Sequence, residues 1–567
     1  MNQTVWMVTF EAVPVVKVGG LAEVPTNLAV ELAARGWDAV VIVPAHGELR
    51  ERSAESVATL NVPGARLEVG KLEWRGVKFF IVSGGALRDA GVYAEEVLEA
   101  KVVQFAAAVG ELVKNPELLG VREPSVVHFH DWHSVPALLA LRRALEGGGE
   151  PALFFHIHLL VRRRLNEELL SKAGIPPDWE HEVTWGGSKR RVSVREALQI
   201  SGGAAEKLGA LEAHRVVTVS HAYLSEELAP FMGGELSGKA RVVYNGTSWR
   251  YSDLQKEVFE VHGRQLEVFG AAQLPNRMLL RKYFLLHALG SLPEGEPKVP
   301  DERTARKLRE AAAPPLREDL RTEAFSYDGP LVITTGRVSR QKGFDLLLEA
   351  VPHVVQDLGI ARFVFFILPV WGSEDLSLQL LDLSREYPDN VRVVFGQAPS
   401  VYKLAHLAAD VFAAPSRREP FGIMALEAMV SGVPVVASRV GGLAETVLDI
   451  REHGYAGTGF LVSPGDPYEL AEKIRDLAAF MEASATGRLD MLAGKIEDRK
   501  LRELLEEYPD SGEIIRKSCI ERVETHFTWQ ASARMAEAVY FEALRSLGKP
   551  LPTLSTSGVL GKKETER

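Results

Sequence analysis

The chain has 567 residues, 46% of them hydrophobic and 25% charged, with a formal net charge of -10. That is too long for one ordinary domain, and the composition is that of a globular protein with a sizeable core, not of a disordered or fibrous one. The acidic balance gains nothing from counterion release, so no nucleic-acid partner is expected and an anionic ligand must be held by a few local basic groups. The single cysteine, Cys519, excludes an internal disulfide and a cysteine metal cage. Met1 to Phe10 lacks a basic leader followed by a long apolar run. The longest apolar runs, such as Ala39–Pro44 and Phe363–Val370, fall short of the ~20 residues of a membrane span. The expectation is a cytoplasmic protein without a membrane partner.

The chain opens as a β-α-β pattern. Val5–Phe10 reads as a short apolar strand, and Leu21, Val24, Leu28 and Leu32 then recur at helical spacing, with Gly36 placed to end the helix. Pro25 fits only if it lies in the first turn or so. Strands follow at Ala39–Pro44, Val126–Phe129, Ala152–Ile157 and Arg215–Ser220. The second half repeats the plan. Leu331–Thr335 is a strand, and Phe344, Leu347, Leu348, Val351, Val355 and Leu358 mark a helix. Further strands are expected at Arg362–Leu368, Val391–Phe395, Asp410–Ala414 and Val433–Ser438, separated by helical patterns. Apolar runs alternating with amphipathic helices predict parallel sheets covered on both faces. The fold class is therefore α/β, with two Rossmann-like domains facing a cleft and helical insertions.

The expected organisation is a first Rossmann-like domain over 1–250, a linker and helical insertion over 251–328, and a second Rossmann-like domain over 329–527. The last of these carries a charged insertion at about 483–512. A polar disordered tail is expected over 547–567. The hexapeptide Val-Gly-Gly-Leu-Ala-Glu occurs at Val18–Glu23 and again at Val440–Glu445. Two readings fit it: a shared need for a tight turn before a helix, or a glycine turn brought by each domain towards the cleft.

Four segments carry candidate chemistry. Lys17-Val-Gly-Gly-Leu21 joins a strand to a helix, where glycines allow close approach to a ligand and the helix N-terminus offers amides to an anion. The alternative is a solvated lysine on an ordinary loop. His130-Asp131-Trp132-His133 follows a strand, where open α/β sheets place their ligands. These residues suit sugar hydroxyls, proton relay and ring stacking, or equally a buried polar network around a core tryptophan. His158 stands at a strand exit and is a better functional candidate than His156, which is expected to pack. Gly336-Arg-Val-Ser-Arg-Gln-Lys-Gly343 lacks the spacing of a Walker loop, but its turn can aim Arg337 and Lys342 at one diphosphate; exposed charges are the other reading. In Glu419-Pro-Phe-Gly-Ile-Met-Ala-Leu-Glu427, Pro420 is expected at a helix start. That puts Glu419 in the loop and Glu427 about two turns into the helix. Two carboxylates then flank amides at Phe421 and Gly422, and carboxylates accept hydrogen bonds from hydroxyls.

Taken in order, these segments resemble the glycogen synthase and starch synthase family of retaining GT-B glycosyltransferases, of bacterial and archaeal type. The resemblance rests on Phe10-Glu11, Pro14, Lys17–Leu21, His130–His133, His158, Thr218–Ser220, Asn245-Gly246, Gly336–Gly343, Pro415–Glu427 and Gly441–Leu443. It implies transfer of glucose from ADP-glucose or UDP-glucose to the non-reducing end of an α-1,4-glucan such as glycogen. A helix over 528–546 would be the family's closing helix, crossing back to the first domain. Lys17, Arg337 and Lys342 would hold the diphosphate. Asp131 and His158 would sit near the transferred glucose, Glu419 would accept from its hydroxyls, and Glu427 from the donor ribose. Gly19, Gly20, His130, Trp132, Asn245, Phe421, Gly422 and Gly442 would complete substrate binding, with Asp131, His158, Glu419, Arg337 and Lys342 as the catalytic set.

Breaking a sugar–phosphate bond builds negative charge on the diphosphate, and preorganised cations in a water-poor site are typically worth ~10²–10³ in rate each. No Asp-x-Asp metal site is evident, so neither a metal nor another cofactor is expected. The departing phosphate would deprotonate the acceptor on the same face, with no dedicated base. Thr247-Ser248, Trp371-Gly372-Ser373, Arg162–Arg164 and the long insertion depart from the family pattern. The first two bear on donor geometry, the others on acceptor choice or assembly. Rival readings are a small-acceptor synthase of trehalose or sucrose type and a non-catalytic glucan- or nucleotide-binding protein. A nicotinamide oxidoreductase is disfavoured, because no Gly-x-Gly-x-x-Gly turn follows these strands. The donor base, regulation and homo-oligomer formation are not legible in the sequence.

Overall fold

The computed structural model describes residues 3–270, 276–370 and 372–551. Most of the expected tail, with Lys562, Lys563 and Arg567, and also Trp371 of the departing turn, lie outside the described residues. The chain forms two compact units. One comprises residues 1–219, 224–244 and 529–567, the other 220–223 and 245–528.

The first unit is built on β1 (Thr4–Val8), β2 (Asp38–Pro44), β3 (Glu55–Val62), β4 (Ala65–Trp74), β5 (Val77–Ser83), β6 (Val126–His130) and β7 (Ala152–Ile157). A separate hairpin, β8 (Glu180–Trp185) and β9 (Ser188–Ser193), precedes β10 (Arg215–Thr218) and β11 (Ala240–Val242). The main sheet has nine strands in the order β11-β10-β7-β6-β1-β2-β5-β4-β3. It is mixed: β4 runs antiparallel to both β3 and β5, whereas the pairs from β11 across to β5 are parallel. The sequence reading named five strands here and expected only parallel pairing. It passed over β3, β4 and β5; β3 exposes most of its side chains and presents no continuous apolar run, whereas β5 does carry one, at Phe79–Val82.

Pro25 is tolerated because a 3-10 turn, Gly20–Ala22, precedes the helix Glu23–Ala34. The proline then occupies the first turn, where no ladder hydrogen bond is lost. Against that helix packs Trp529–Ser546, burying Trp529, Ala533, Ala536, Tyr540 and Ala543 in one core with Val5, Met7, Leu28 and Leu32. Polar contacts fix its register. Glu537 accepts from the Trp37 indole at 3.0 Å and from Arg35, and Glu542 accepts from Arg215 and Arg241.

The second unit carries β12 (Leu331–Arg337), β13 (Arg362–Leu368), β14 (Val391–Phe395), β15 (Val411–Ala414), β16 (Val435–Ser438) and β17 (Gly459–Val462). These six parallel strands lie in the order β14-β13-β12-β15-β16-β17. Asp466 caps the long helix Pro467–Thr486 by accepting from the amides of Tyr468 and Glu469, with Pro467 at its first position. The segment between the halves contains helices Tyr251–Val268, Arg277–Leu286 and Glu302–Glu310.

Asp410, 2% exposed, ties this unit together. One carboxylate oxygen accepts from Arg281 at 2.8 Å and from the Leu331 amide at 2.9 Å; the other accepts from Arg516 at 2.6 Å. Arg281 also reaches Glu482 and Asp328. Burial pushes the Asp410 carboxyl up, but Arg281 and Arg516 outweigh it and hold the group below its usual range. Removing one partner of such a buried network strands the other charges, at a cost of ~3–5 kcal/mol. Asp410→Ala should therefore lose about that much stability in chemical unfolding at neutral pH. A depressed folded pKa contributes stability that is complete above the unfolded value, about 3.9, and is lost as pH falls through the lower folded value. The parent should show that acid limb and the variant should lack it; identical profiles would refute the role given to Asp410.

Candidate functional site

In the first unit the candidate residues gather at the carboxyl ends of β6 and β7. Asp131 follows β6 directly, and its backbone sits at φ 57°, a left-handed conformation unusual for a side-chain-bearing residue. The strain is held by two contacts. Its amide donates to the His156 carbonyl at 2.9 Å, and its carboxylate accepts from the His158 amide at 2.8 Å. Asp131 thus grips the exit of β7. Burial raises its carboxyl to about 7; the amides of His158 and Leu159 oppose this, and Glu206 and Glu11 add to it. Glu206, itself fully buried, accepts from the amides of Val161 and Arg162 and so holds the far end of the same loop.

His158 Nε2 lies 3.0 Å from His130 Nδ1, and burial brings His158 down to about 3. The ring is neutral at physiological pH, which suits it to hydrogen-bond a hydroxyl and not to carry charge. His130 is fully buried and lies behind His158, so in this structure it positions His158 and offers no exposed face to a ligand. Trp132 is also buried, with His133 on one side at 4.2 Å and the Arg163 guanidinium 5.5 Å from its ring centre. For these residues the geometry fits the polar network around a core tryptophan better than an open stacking platform. Arg163 is further tied to Glu95, and Arg162 lies over Phe231.

His128, His130 and His156 bring ring nitrogens within 4.8 Å of one another. A metal must lie in the plane of every ring that ligates it. These rings are 4.5 to 5.4 Å apart with planes only 15° to 31° from parallel, so their lone pairs do not converge. The cluster is a stack of buried, neutral histidines, with His128 fixed by Tyr540 at 2.6 Å.

The Gly19 amide is taken by Glu11 at 3.0 Å, as is the Val18 amide, and Lys17 is paired with Glu23 at 2.6 Å. The reason is local: Glu11 is 1% exposed and its carboxylate draws the nearest amides. A methyl group at Gly19 or Gly20 would meet nothing within 4 Å, so no contact inside the protein demands either glycine. Glu11 is the group the sequence reading left without a role, although Phe10-Glu11 stood in its motif.

In the second unit, β12 leads into the Gly336–Gly343 turn. Arg337 is exposed and makes no hydrogen bond or ion pair with the described residues. Lys342 pairs with Glu419 at 2.5 Å, and Ser416 also donates to Glu419. Gly343 is required here: its φ is 71°, and a Cβ would lie 2.0 Å from the Pro415 carbonyl oxygen. Gly442 is equally constrained, since a Cβ there would lie 2.3 Å from Phe421 Cα, while its amide donates to the Glu419 carbonyl. The tight packing fixes Glu419, 8% exposed, beside Lys342.

The helix begins at Ile423, not at Pro420, because Gly422 sits at φ 94° and cannot belong to it. Glu427 is therefore one turn into the helix, not two, and accepts from the Tyr402 hydroxyl at 3.3 Å. The amides of Gly422 and Ile423 lie at the helix N-terminus, outside its hydrogen-bond ladder. Asn245, 6% exposed, belongs to this unit and buries a side-chain oxygen with no partner among the described residues.

Known proteins share this chain's plan. A model of the starch synthase catalytic domain matches residues 4–242, and one of glycosyl transferases group 1 matches 317–481. The chain is 28% identical over 501 residues to a glycogen synthase from Halorhodospira halophila, covering 84% of this chain and 92% of that protein. It is 29% identical over 488 residues to one from Alkalilimnicola ehrlichii, covering 83% and 90%. The catalytic domain of starch synthase IV from Arabidopsis thaliana, bound to ADP and acarbose, superposes with a TM-score of 0.64 at 18% identity, covering 96% of this chain and all of that one.

A carboxyl whose pKa rises on folding opposes folding as it ionises. The Asp131 penalty is absent below the unfolded value, about 3.9, develops as pH rises, and is complete above about 7. Asp131→Asn should fold, should be more stable than the parent at pH 8 but not at pH 4, and should lose ~10²-fold in turnover. Equal stability of variant and parent across that range would show that Asp131 carries no such strain.

Proposed function

The chain belongs to the glycogen synthase and starch synthase family and is a hexosyltransferase, and from that premise we propose that it moves glucose from ADP-glucose or UDP-glucose to the non-reducing end of an α-1,4-glucan with retention. The observation that carries the reading is the pairing of Lys342 with Glu419 on the turn that also carries Arg337, which has no partner among the described residues. Two cations near one turn suit a diphosphate, and a carboxylate fixed next to them suits the hydroxyls of the attached sugar.

In this reading Arg337 and Lys342, with Lys17 by role, neutralise the charge that develops on the leaving diphosphate. Glu419 accepts from glucose hydroxyls and Glu427 from the ribose, and Asn245 offers its unpartnered oxygen to the donor. The amides of Phe421 and Gly422, with the Gly442 turn, shape the same donor site. Asp131 and neutral His158 attend the transferred glucose, and His130 holds the His158 ring. In this structure the Lys342 ammonium is paired with Glu419, the Gly19 amide with Glu11 and Lys17 with Glu23. Donor binding then exchanges internal ion pairs for ligand contacts. The cations supply the charge neutralisation that a divalent metal gives elsewhere, so turnover proceeds without one. The departing phosphate takes the acceptor proton.

Release of nucleoside diphosphate from ADP-glucose and from UDP-glucose, with and without glycogen and in the presence of a chelator, tests this directly. Glycogen-dependent release that survives chelation is expected, with α-configured product by NMR. Release that needs a small sugar instead, or none with any acceptor, would replace the reading by the small-acceptor enzyme or the binding protein. Glu419→Ala and Lys342→Ala should each lower turnover by ~10²-fold or more while the fold is retained. Near-parental rates in both would remove the site assignment.

A further inference from the structure

The long helix Glu95–Lys114 of the first unit buries a charge to which glucosyl transfer has so far given no part. Its buried stripe runs through Leu98, Val102 and Phe105, and Lys101 lies on that stripe with its side chain 0% exposed. Packing alone would place an apolar residue there, because an ammonium leaves water at a high cost unless its protons all find acceptors. Backbone oxygens meet most of that need. Lys101 Nζ donates to the carbonyls of Asp89 and Gly91, both at 2.7 Å, and to the Asp89 carboxylate at 3.1 Å. His46 Nδ1 lies 3.4 Å away.

Two branches lead from this ammonium to one pair of residues. Along the first, the held stretch Asp89–Gly91 runs on to Tyr93, whose hydroxyl donates to Glu11 Oε1. Along the second, His46 Nε2 lies 3.0 Å from the Phe10 carbonyl oxygen. A carbonyl only accepts, so the ring proton is on Nε2 and Nδ1 turns its lone pair to Lys101. Burial brings His46 down to about 4, against the Phe10 bond and with the Lys101 charge adding to the fall, which keeps the ring neutral. Phe10 immediately precedes Glu11, and its ring stacks on His133 at 4.8 Å with planes 7° apart.

Glu11 passes the constraint on. Its other carboxylate oxygen accepts from the amides of Val18 and Gly19, at 2.6 and 3.0 Å. The next amide, that of Gly20, has no partner among the described residues. We propose that Lys101 is a positioning residue: by fixing Glu11 through both branches it sets the glycine loop Lys17–Leu21 and the free Gly20 amide for the leaving diphosphate, a role that rests on the glucosyl-transfer reading. Lys101 itself touches no substrate. A glycine loop without its clamp has to be ordered by the donor as it binds, and that cost appears as weaker donor affinity.

The test combines steady-state kinetics with titration calorimetry of ADP and UDP on the full chain. Lys101→Met removes the charge while keeping a side chain of similar length. It should raise the donor KM and weaken nucleotide binding, each by ~10-fold, the worth of a hydrogen bond to a charged group, and leave the glycogen KM unchanged. A lysine that served stability alone would instead lower the active fraction, reducing apparent kcat with the donor KM intact. Tyr93→Phe, which removes the hydroxyl that meets Glu11, should act in the same direction and decides the matter if Lys101→Met does not fold. Either variant combined with Glu11→Gln should weaken nucleotide binding no further than Glu11→Gln alone, whereas independent effects would multiply. Lys114→Met, at an exposed position of the same helix, should keep parental affinity. Parental affinity in both Lys101→Met and Tyr93→Phe, or multiplied effects in the combined variants, would overturn the proposal. The binding measurements need no turnover, so they decide the role of Lys101 even where transfer to glycogen fails; a parent that binds neither nucleotide would remove both readings.

Discussion

A single buried carboxylate, Asp410, organises the second unit. It stands at the head of β15, accepts from two arginines of different helices and from the first amide of β12, and is almost without solvent. The inserted helix carrying Arg281, the late helix carrying Arg516 and the sheet are therefore held by one charge, which none of them can leave without stranding another in the interior. The same arrangement decides where the segment after β15 emerges, and with it Glu419 and Glu427.

Carboxylates play a matching part in the first unit, as grips on backbone amides more than as partners of cations. Asp131 holds the amides after β7, Glu206 those three residues further on, and Glu11 those of the glycine loop. Each is buried or nearly so, and for Asp131 and Glu206 burial raises the carboxyl pKa. The fold thus spends stability at the carboxyl ends of its strands, where open α/β sheets carry ligands, to hold loops in conformations they would not otherwise keep. Asp131 at positive φ is the clearest instance.

The histidines illustrate how burial sets chemistry. Four of them, His128, His130, His156 and His158, stack across two adjacent strands, and all are driven to the neutral form. A run rich in histidine after a strand suggests proton transfer or metal binding. In this setting it gives an uncharged scaffold that orients one ring, His158, for hydrogen bonding.

The sequence by itself determined the fold class, the order of most strands and the loops where chemistry-bearing residues fall. These depend on local features: apolar periodicity, glycines at turns, and charged residues placed just after strands. Pro25 could be assigned to a first turn because its missing amide permits nothing else. The antiparallel β4 was not legible, because the strand beside it is mostly exposed and its pairing is chosen by neighbours remote in sequence. Nor was the start of the helix before Glu427, where Gly422 takes a positive φ and a Cβ would lie 2.7 Å from Leu443, so that the helix starts after it despite the preference of Pro420 for a first turn. Only the tertiary structure decided the partners. Lys342 meets Glu419, Gly19 meets Glu11, and Arg281 and Arg516 meet at Asp410, across separations of 77, 8, 129 and 106 residues respectively. No periodicity encodes such contacts; they follow from which charges the folded interior leaves within reach of one another.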